Sequence, residues 1–317
     1  MARMLIGVDL GGTNLRTALL SQDGAIMEKN KESSRASDGH ERVVQRLIEN
    51  IKRQRDIGVS QGHAVMAVGV GAPGVIDIER GIVVKSPNFP DWNNLPLKAE
   101  LEKALGLTVF IENDANAAAL GEQWRGAGKG IGSMIMLTLG TGVGGGIVLD
   151  GNIWHGADGM AGEIGHMTIL PEGRMCGCGN AGCLEMYASA RGVTQNYCEA
   201  LAEQERPVSD FITSQQVYQA AREGNEAAAR AMRDTGRYLG IGIASLINIF
   251  NPEMVVLGGG VKDAWDLFID STRAEVMKRA FDIPARRARI VPSELGDDAG
   301  MVGAAAVALQ RTEGKTC

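Results

Sequence analysis

The sequence predicts an α/β protein of two related lobes meeting at a cleft, and three observations carry that prediction. Apolar runs of strand length alternate with stretches whose apolar residues recur at helical spacing. One arrangement occurs twice: a strand at 4–9, a tight turn at 10–14, a returning strand at 15–20 and Asp23-Gly24; then a strand at 133–139, a turn at 140–145, a return at 146–149 and Asp150-Gly151. Asp-Gly after a strand is a strong hairpin signal. Finally, the 317 residues include 43 glycines and few aromatics, a composition that suits two domains whose backbone approaches ligands closely.

Between the two copies, residues 41–55 have helical spacing, with Val43, Val44, Leu47, Ile48 and Ile51 on one face. Residues 64–71 read as a buried strand running into Ala72-Pro73-Gly74, a sharp turn that exposes backbone. An irregular loop at 86–92 and a short helix at 97–105 follow. The strand at 108–112 opens onto Asn113-Asp114-Ala115-Asn116, with a small-residue helix at 117–125 beyond it. The lobes are expected to meet near residue 117. After a cysteine-rich loop, helices are expected at 189–202, 215–223, 227–250 (interrupted by Gly236, Gly240 and Gly242) and 267–280. Strands are expected at 253–257, ahead of Gly258-Gly259-Gly260, and at 289–292, and the chain closes on an Ala-rich helix at 301–310.

A net charge of −6 and an isoelectric point near 5.4 leave no general basic surface for nucleic acid. The opening residues run directly into a strand without the features of a signal peptide, and no segment approaches a membrane span, so a cytoplasmic protein is expected. Cysteine usage agrees. Three of the five cysteines, Cys176, Cys178 and Cys183, lie within eight residues, and His166 stands ten residues upstream. Thiolates and an imidazole in a short loop can close a tetrahedral zinc site, with Gly177, Gly179 and Gly182 letting the chain turn tightly between ligands. Glu163 and Glu185 flank this stretch and can present acceptors to a hydroxylated ligand. Cys198 and Cys317 are left over.

The turns at Gly11-Gly12-Thr13 and Gly140-Thr141-Gly142 each join two strands, which excludes the dinucleotide fingerprint, since that needs a helix N-terminus beneath the phosphate. A Gly/Thr hairpin can nevertheless cradle phosphate oxygens with backbone N–H groups and a hydroxyl. Gly314-Lys315-Thr316 resembles the end of a Walker motif, but Leu309 occupies the place of its first glycine. Asp114, just past a strand end, is placed to orient an attacking hydroxyl in phosphoryl transfer; the plainer reading makes it the cap of the helix that follows.

Together these residues resemble the ROK family of sugar kinases, in the actin/hexokinase superfamily, from Ile6 to Ala306. The resemblance rests on D-L-G-G-T-N from Asp9, E-N-D-A-N from Glu112, L-G-T-G-V-G-G-G from Leu139 and the zinc signature C-x-C-G-x-x-G-C-x-E from Cys176. E-I-G-H-M from Glu163 and L-G-D-D-A-G from Leu295 are most similar to the bacterial glucokinases within the family. The resemblance implies two ribonuclease-H-like lobes: residues 1–117, completed by the C-terminal helix 298–317, and residues 118–297, carrying the zinc loop and dimerisation helices. It implies that Asp114 takes the proton from a hexose 6-hydroxyl, while Gly71, Asn88, Asn113, Glu163, His166 and Glu185 hold the sugar. Asp9, Gly11, Gly12 and Thr13 would face magnesium and the transferred phosphate, Thr141 and Gly142 the phosphates from the other lobe, and Gly258 and Gly259 the adenosine of ATP. Zinc would rest on His166, Cys176, Cys178 and Cys183.

The activity implied is ATP-dependent phosphorylation of glucose. Kinases for N-acetylmannosamine, N-acetylglucosamine or fructose would share every motif. The family's sugar-responsive repressors carry a helix-turn-helix segment ahead of the first phosphate turn, for which Asp9 leaves no room here, so a regulator is not expected. A homodimer or tetramer is expected, with the small-residue helices after Asn116 and around Gly236–Ala244 able to pack closely. Zinc loss is expected to loosen sugar contacts with much less effect on ATP.

Overall fold

The computed structural model describes residues 2–205, 207 and 212–314. Cys317 and the last two residues of the Walker-like match lie outside the described residues. Internal contacts divide the chain into two units. One comprises Met1–Gly132, Gly146–Gly162 and the chain from Glu294 onward; the other comprises Ser133–Gly145 and Glu163–Ser293.

The first unit opens with β1 (Arg3–Leu10), β2 (Asn14–Ser21) and β3 (Ile26–Ser33). Then come α1 (His40–Ser60), β4 (Ala64–Ala72), and the short β5 (Val75–Asp77), β6 (Ile82–Lys85) and β7 (Asn93–Leu95). Finally α2 (Leu97–Leu105), β8 (Thr108–Asn113) and α3 (Asp114–Arg125) complete the run. Five strands form a sheet in the order β3-β2-β1-β4-β8, and β5, β6 and β7 form a small separate sheet. β1 pairs antiparallel with β2 and parallel with β4, which pairs parallel with β8.

Alternation along β1 assigns its side chains to two cores, because successive residues of a strand face opposite ways. Met4, Ile6, Val8 and Leu10 join Val43, Leu47 and Ile51 of α1 and Leu97 and Leu101 of α2. Leu5 joins Ala18, Leu20 and Ala67 against Met301, Val302, Ala305 and Ala308 of the closing helix, Ala299–Thr312. The apolar stripe read in α1 is therefore one half of a real core. β3 gives no apolar signal because it is an edge strand, its sequence IMEKNKES half-exposed throughout.

α3 begins three residues earlier than its small-residue run indicates and is buried from Ala115 to Glu122. It lies on the closing helix so tightly that a Cβ at Gly303 would stand 1.5 Å from the carbonyl oxygen of Ala117. The boundary expected at residue 117 thus falls inside a helix that belongs as a whole to the first unit.

Beyond α3 come β9 (Met134–Leu139), β10 (Val143–Leu149) and β11 (Asn152–Ile153). The helices α4 (Glu185–Ala188), α5 (Ala190–Ala202), α6 (Ser214–Arg222) and α7 (Glu226–Phe250) follow. Then come β12 (Met254–Gly258), α8 (Trp265–Arg279), α9 (Asp282–Arg287), β13 (Arg289–Pro292) and the closing helix, α10. The second sheet runs β11-β10-β9-β12-β13, the same order as the first, with β9–β12 and β12–β13 parallel. The doubled motif is the opening hairpin of each sheet.

α7 runs unbroken for 25 residues, contrary to the interruption expected at its glycines. Gly236 and Gly240 face α8, where a Cβ at Gly236 would meet the Phe268 carbonyl oxygen at 2.3 Å and one at Gly240 the Thr272 carbonyl oxygen at 2.6 Å, whereas Gly242 lies against the Leu184 and Met167 side chains. The cost of glycine in a helix is offset by this close approach. Both small-residue surfaces expected to serve a dimer, on α3 and around Gly236–Ala244, are mostly buried inside the chain. No helix among the described residues is long and apolar enough to cross a membrane.

Candidate active site and metal cluster

In the first unit the candidate residues gather at the carboxyl ends of parallel strands, where open α/β sheets bind ligands. Asp9 on β1 pairs in register with Gly71 on β4, and Gly71 with Glu112 on β8. Beyond β1, Gly11 N donates to Asn14 O at 2.8 Å and closes the turn that carries Gly12 and Thr13. Asn88 covers this turn, its amide nitrogen 2.6 Å from where a Cβ of Gly12 would be. Asp9 accepts from Arg16 Nη1 at 3.2 Å, and Arg16 Nη2 donates to Asp297 at 2.9 Å. Burial pushes the Asp9 carboxyl above the usual range; Arg16 opposes this, and the Asp297 charge adds to it.

Asn113 caps α3, its Oδ1 accepting from Ala115 N at 2.9 Å and Asn116 N at 3.2 Å, while its Nδ2 donates to Gly74 O at 3.2 Å. The capping role considered for Asp114 thus belongs to its neighbour. Asp114 is the first helical residue, with Oδ1 accepting from Ala115 N at 2.9 Å. Gly71 lies beneath it, a Cβ there coming within 3.5 Å of Asp114 Cα.

Behind this turn is a residue to which sequence reasoning gave no role. Glu112 is 1 % exposed and accepts from Asn113 N and Asn116 Nδ2, both at 3.0 Å, and its other oxygen is 2.8 Å from His155 Nε2. A carboxylate ending the buried run Val-Phe-Ile was a legible signal. Its histidine partner, 43 residues away, was not.

The second unit holds Thr141, Gly142, Glu163, His166, the three clustered cysteines, Glu185, Gly258 and Gly259. The nitrogen and sulfurs of His166, Cys176, Cys178 and Cys183 lie within 4.8 Å of one another. Cys176 Sγ is 3.6 Å from His166 Nδ1, and Cys178 Sγ is 3.6 Å from Cys183 Sγ. A tetrahedral zinc site requires about 3.6 Å between sulfur and nitrogen and about 3.8 Å between sulfurs, from the usual metal–ligand lengths. The cluster fits such an ion. Among the supposed hinge glycines, Gly179 and Gly182 have φ of 92° and 75°, whereas Gly177 has neither a positive φ nor a close neighbour.

An amide hydrogen bond from Asn180 holds the Cys178 thiol below its usual range, while burial pushes Cys183 up to about 12. Asn180 Nδ2 also reaches Cys183 Sγ at 3.4 Å. With Nδ1 turned to the sulfurs, the His166 Nε2 edge is the one 4.0 Å from Glu163 Oε2. Glu185 Oε1 is 4.0 Å from Cys176 Sγ, and its Oε2 accepts from Val143 N at 2.9 Å, beside Gly142. Gly258 pairs with Thr138 in register, and Gly259 packs on Leu139, the residue that leads into the second Gly/Thr turn.

A family model described as the ROK family matches residues 5–311. A glucokinase from Thermotoga maritima is 40 % identical, covering 98 % of each chain. The crystal structure of a ROK family glucokinase from Streptomyces griseus in complex with glucose and AMPPNP superposes with a TM-score of 0.81 at 36 % identity, over 97 % of this chain and 99 % of that one. A xylose repressor from Caldicellulosiruptor bescii is also similar, at 33 % identity over 96 % of this chain and 78 % of its own.

Proposed function

The chain belongs to the ROK family, and on that premise we propose that it transfers the γ-phosphoryl group of ATP to the 6-hydroxyl of D-glucose. The observation that carries this reading is the start of α3, where the Asn113 cap sets the Asp114 carboxylate at the end of a parallel strand two positions from the strand carrying Asp9. Asp114 takes the proton as the 6-oxygen attacks phosphorus, the bond to the β-bridging oxygen breaks, and ADP leaves. Such a transfer asks the protein mainly to position groups and balance charge. Asp9 and the Gly11–Thr13 turn would face the phosphate and the magnesium delivered with ATP, which would neutralise phosphate charge. Thr141 and Gly142 meet the phosphates from the second unit, with Gly258 and Gly259 near the adenosine. Gly71, Asn88, Asn113, Glu163, His166 and Glu185 hold the sugar.

Zinc fits His166, Cys176, Cys178 and Cys183, and with four protein ligands it supplies a structural clamp rather than a site for activating water. Held through Nδ1, the ring nitrogen 3.6 Å from Cys176 Sγ, His166 would keep one tautomer and leave Nε2 for the sugar. The resemblance to a xylose repressor keeps a regulatory reading in view. A kinase needs a base at the acceptor hydroxyl and groups that face phosphate, the roles proposed for Asp114 and the two Gly/Thr turns. Assembly into a homodimer belongs to the same reading and would use surfaces other than the buried faces of α3 and α7.

The test is ADP release with Mg-ATP and a panel of glucose, N-acetylmannosamine, N-acetylglucosamine, fructose and xylose. Glucose is expected to give the highest kcat/KM. Preference for an N-acetylated sugar would reassign the substrate, and no turnover with any sugar would remove the kinase reading.

A further inference from the structure

The second Gly/Thr turn is backed by the stretch that carries the cysteine cluster. Glu185 Oε2 accepts from Val143 N at 2.9 Å, and a Cβ at Gly142 would lie 2.3 Å from that same oxygen. Ala190 N donates to Gly140 O at 2.8 Å, and a Cβ at Gly165 would fall 2.0 Å from Val143 O. Residues 140–143 are therefore backed by Gly165, Glu185 and Ala190, all within the segment that folds around the cluster. Glu185 is the central link, because its other oxygen faces Cys176 at 4.0 Å.

Arg174 fastens α4, which begins at Glu185, to the cysteine loop. Its Nη1 donates to Met186 O at 2.6 Å, its Nη2 to Asn196 Oδ1 at 2.7 Å, and its guanidinium lies 4.4 Å from the Tyr187 ring centroid. Glu199 takes two further hydrogen bonds from the same group, at 3.1 and 2.6 Å. The Arg174 backbone is engaged too: its N–H donates to Tyr187 Oη at 2.7 Å, and its carbonyl accepts from Gly182 N at 2.8 Å. With guanidinium, ring and backbone all committed, α4 cannot move relative to the loop without breaking several hydrogen bonds at once.

We propose that the cysteine loop positions the phosphate turn as well as the sugar contacts, with Glu185 as the positioning residue between them and Arg174 as its anchor. Disturbing the loop then weakens nucleotide and sugar together, which reverses the expectation from sequence that ATP affinity is largely spared. The inference rests on the kinase reading for the assignment of Thr141 and Gly142 to phosphate. The mechanism is loss of preorganisation: the turn must be ordered anew on binding when its support is gone.

The test measures AMPPNP and glucose affinity separately by calorimetry on the whole protein, alongside metal content and circular dichroism. Four preparations are compared with the untreated protein: chelator-stripped protein, Arg174→Ala, Glu185→Ala and Glu185→Gln. Stripping and Arg174→Ala are each expected to weaken both ligands about tenfold, the worth of one hydrogen bond to a charged group. Glu185→Gln, which keeps an oxygen for Val143 N, is expected to recover most of the AMPPNP affinity that Glu185→Ala loses. A folded, zinc-free protein that loses glucose affinity alone would overturn the coupling, as would Glu185→Ala with unchanged AMPPNP affinity. Should Arg174→Ala not fold, the stripped protein and the two Glu185 variants decide. Untreated protein that binds neither ligand overturns the kinase reading itself, a separate and recognisable result.

Discussion

His155 Nε2 lies 2.8 Å from Glu112 Oε2, and through that carboxylate it supports the turn on which Asp114 stands. Glu112 holds the amide before Asp114 and the Asn116 side chain after it. His155→Ala leaves one oxygen of a buried carboxylate short of a donor, at a cost of about 1–3 kcal/mol. The variant is expected to lose thermal stability, and kcat should fall more than the glucose KM rises, because the turn bears the proposed base. His155→Gln, which retains a donor, should recover much of both. A variant with unchanged stability and kinetics would remove His155 from this role.

Asp114→Asn should abolish turnover while glucose still binds. The amide keeps the shape and one acceptor oxygen but cannot take the proton, and general-base contributions run to roughly 10²–10⁴-fold. Calorimetric glucose affinity beside steady-state ADP release checks both halves. Near-normal kcat in pure protein would end the assignment.

Asp9 should trade stability for function. Burial raises its folded pKa, so the ionised carboxylate costs the fold once the pH exceeds that raised value, and the cost vanishes below the usual carboxylate range. Between those limits the folded state binds more protons than the unfolded state, and stability falls as pH rises. Asp9→Asn removes the charge but keeps an acceptor for Arg16. It should melt at or above the wild-type temperature near neutral pH, with the difference shrinking in acid, while kcat with Mg-ATP collapses. A variant that melts clearly lower at neutral pH would contradict the sign.

Gly303→Ala should be among the most damaging of single-methyl additions. The new Cβ would fall on the Ala117 carbonyl, and backbone cannot yield as a flexible side chain can. Overpacking of this kind costs typically about 1–3 kcal/mol, occasionally more. Denaturant unfolding of the variant beside Ala306→Gly, a nearby change without a clash, measures it. Equal midpoints for Gly303→Ala and wild type would show that α3 and α10 can separate freely.

Much of the architecture was legible because it depends on short-range pattern. Period-two and helical apolar spacing reads out β1, β4, α1, α2 and α10, since burial of one face is what such spacing is for. β3 escaped because an edge strand exposes its polar side chains and leaves no apolar run. The break expected in α7 misread glycine, whose propensity is a local quantity, at positions where a neighbouring helix needs the space.

The sequence by itself determined the chemistry on offer: a carboxylate after a strand, two Gly/Thr turns, and a Cys/His set with zinc spacing. Motifs are contiguous, and contiguous residues carry their spacing with them. Tertiary structure alone decided which groups work through which others. The Glu112–His155 pair, the reach of Arg174 to Glu199 and the bond from Val143 to Glu185 all depend on tertiary geometry that no local pattern encodes. Such pairings form only when packing brings distant segments within hydrogen-bond distance, a constraint set by the sum of the core and not by any one stretch of it.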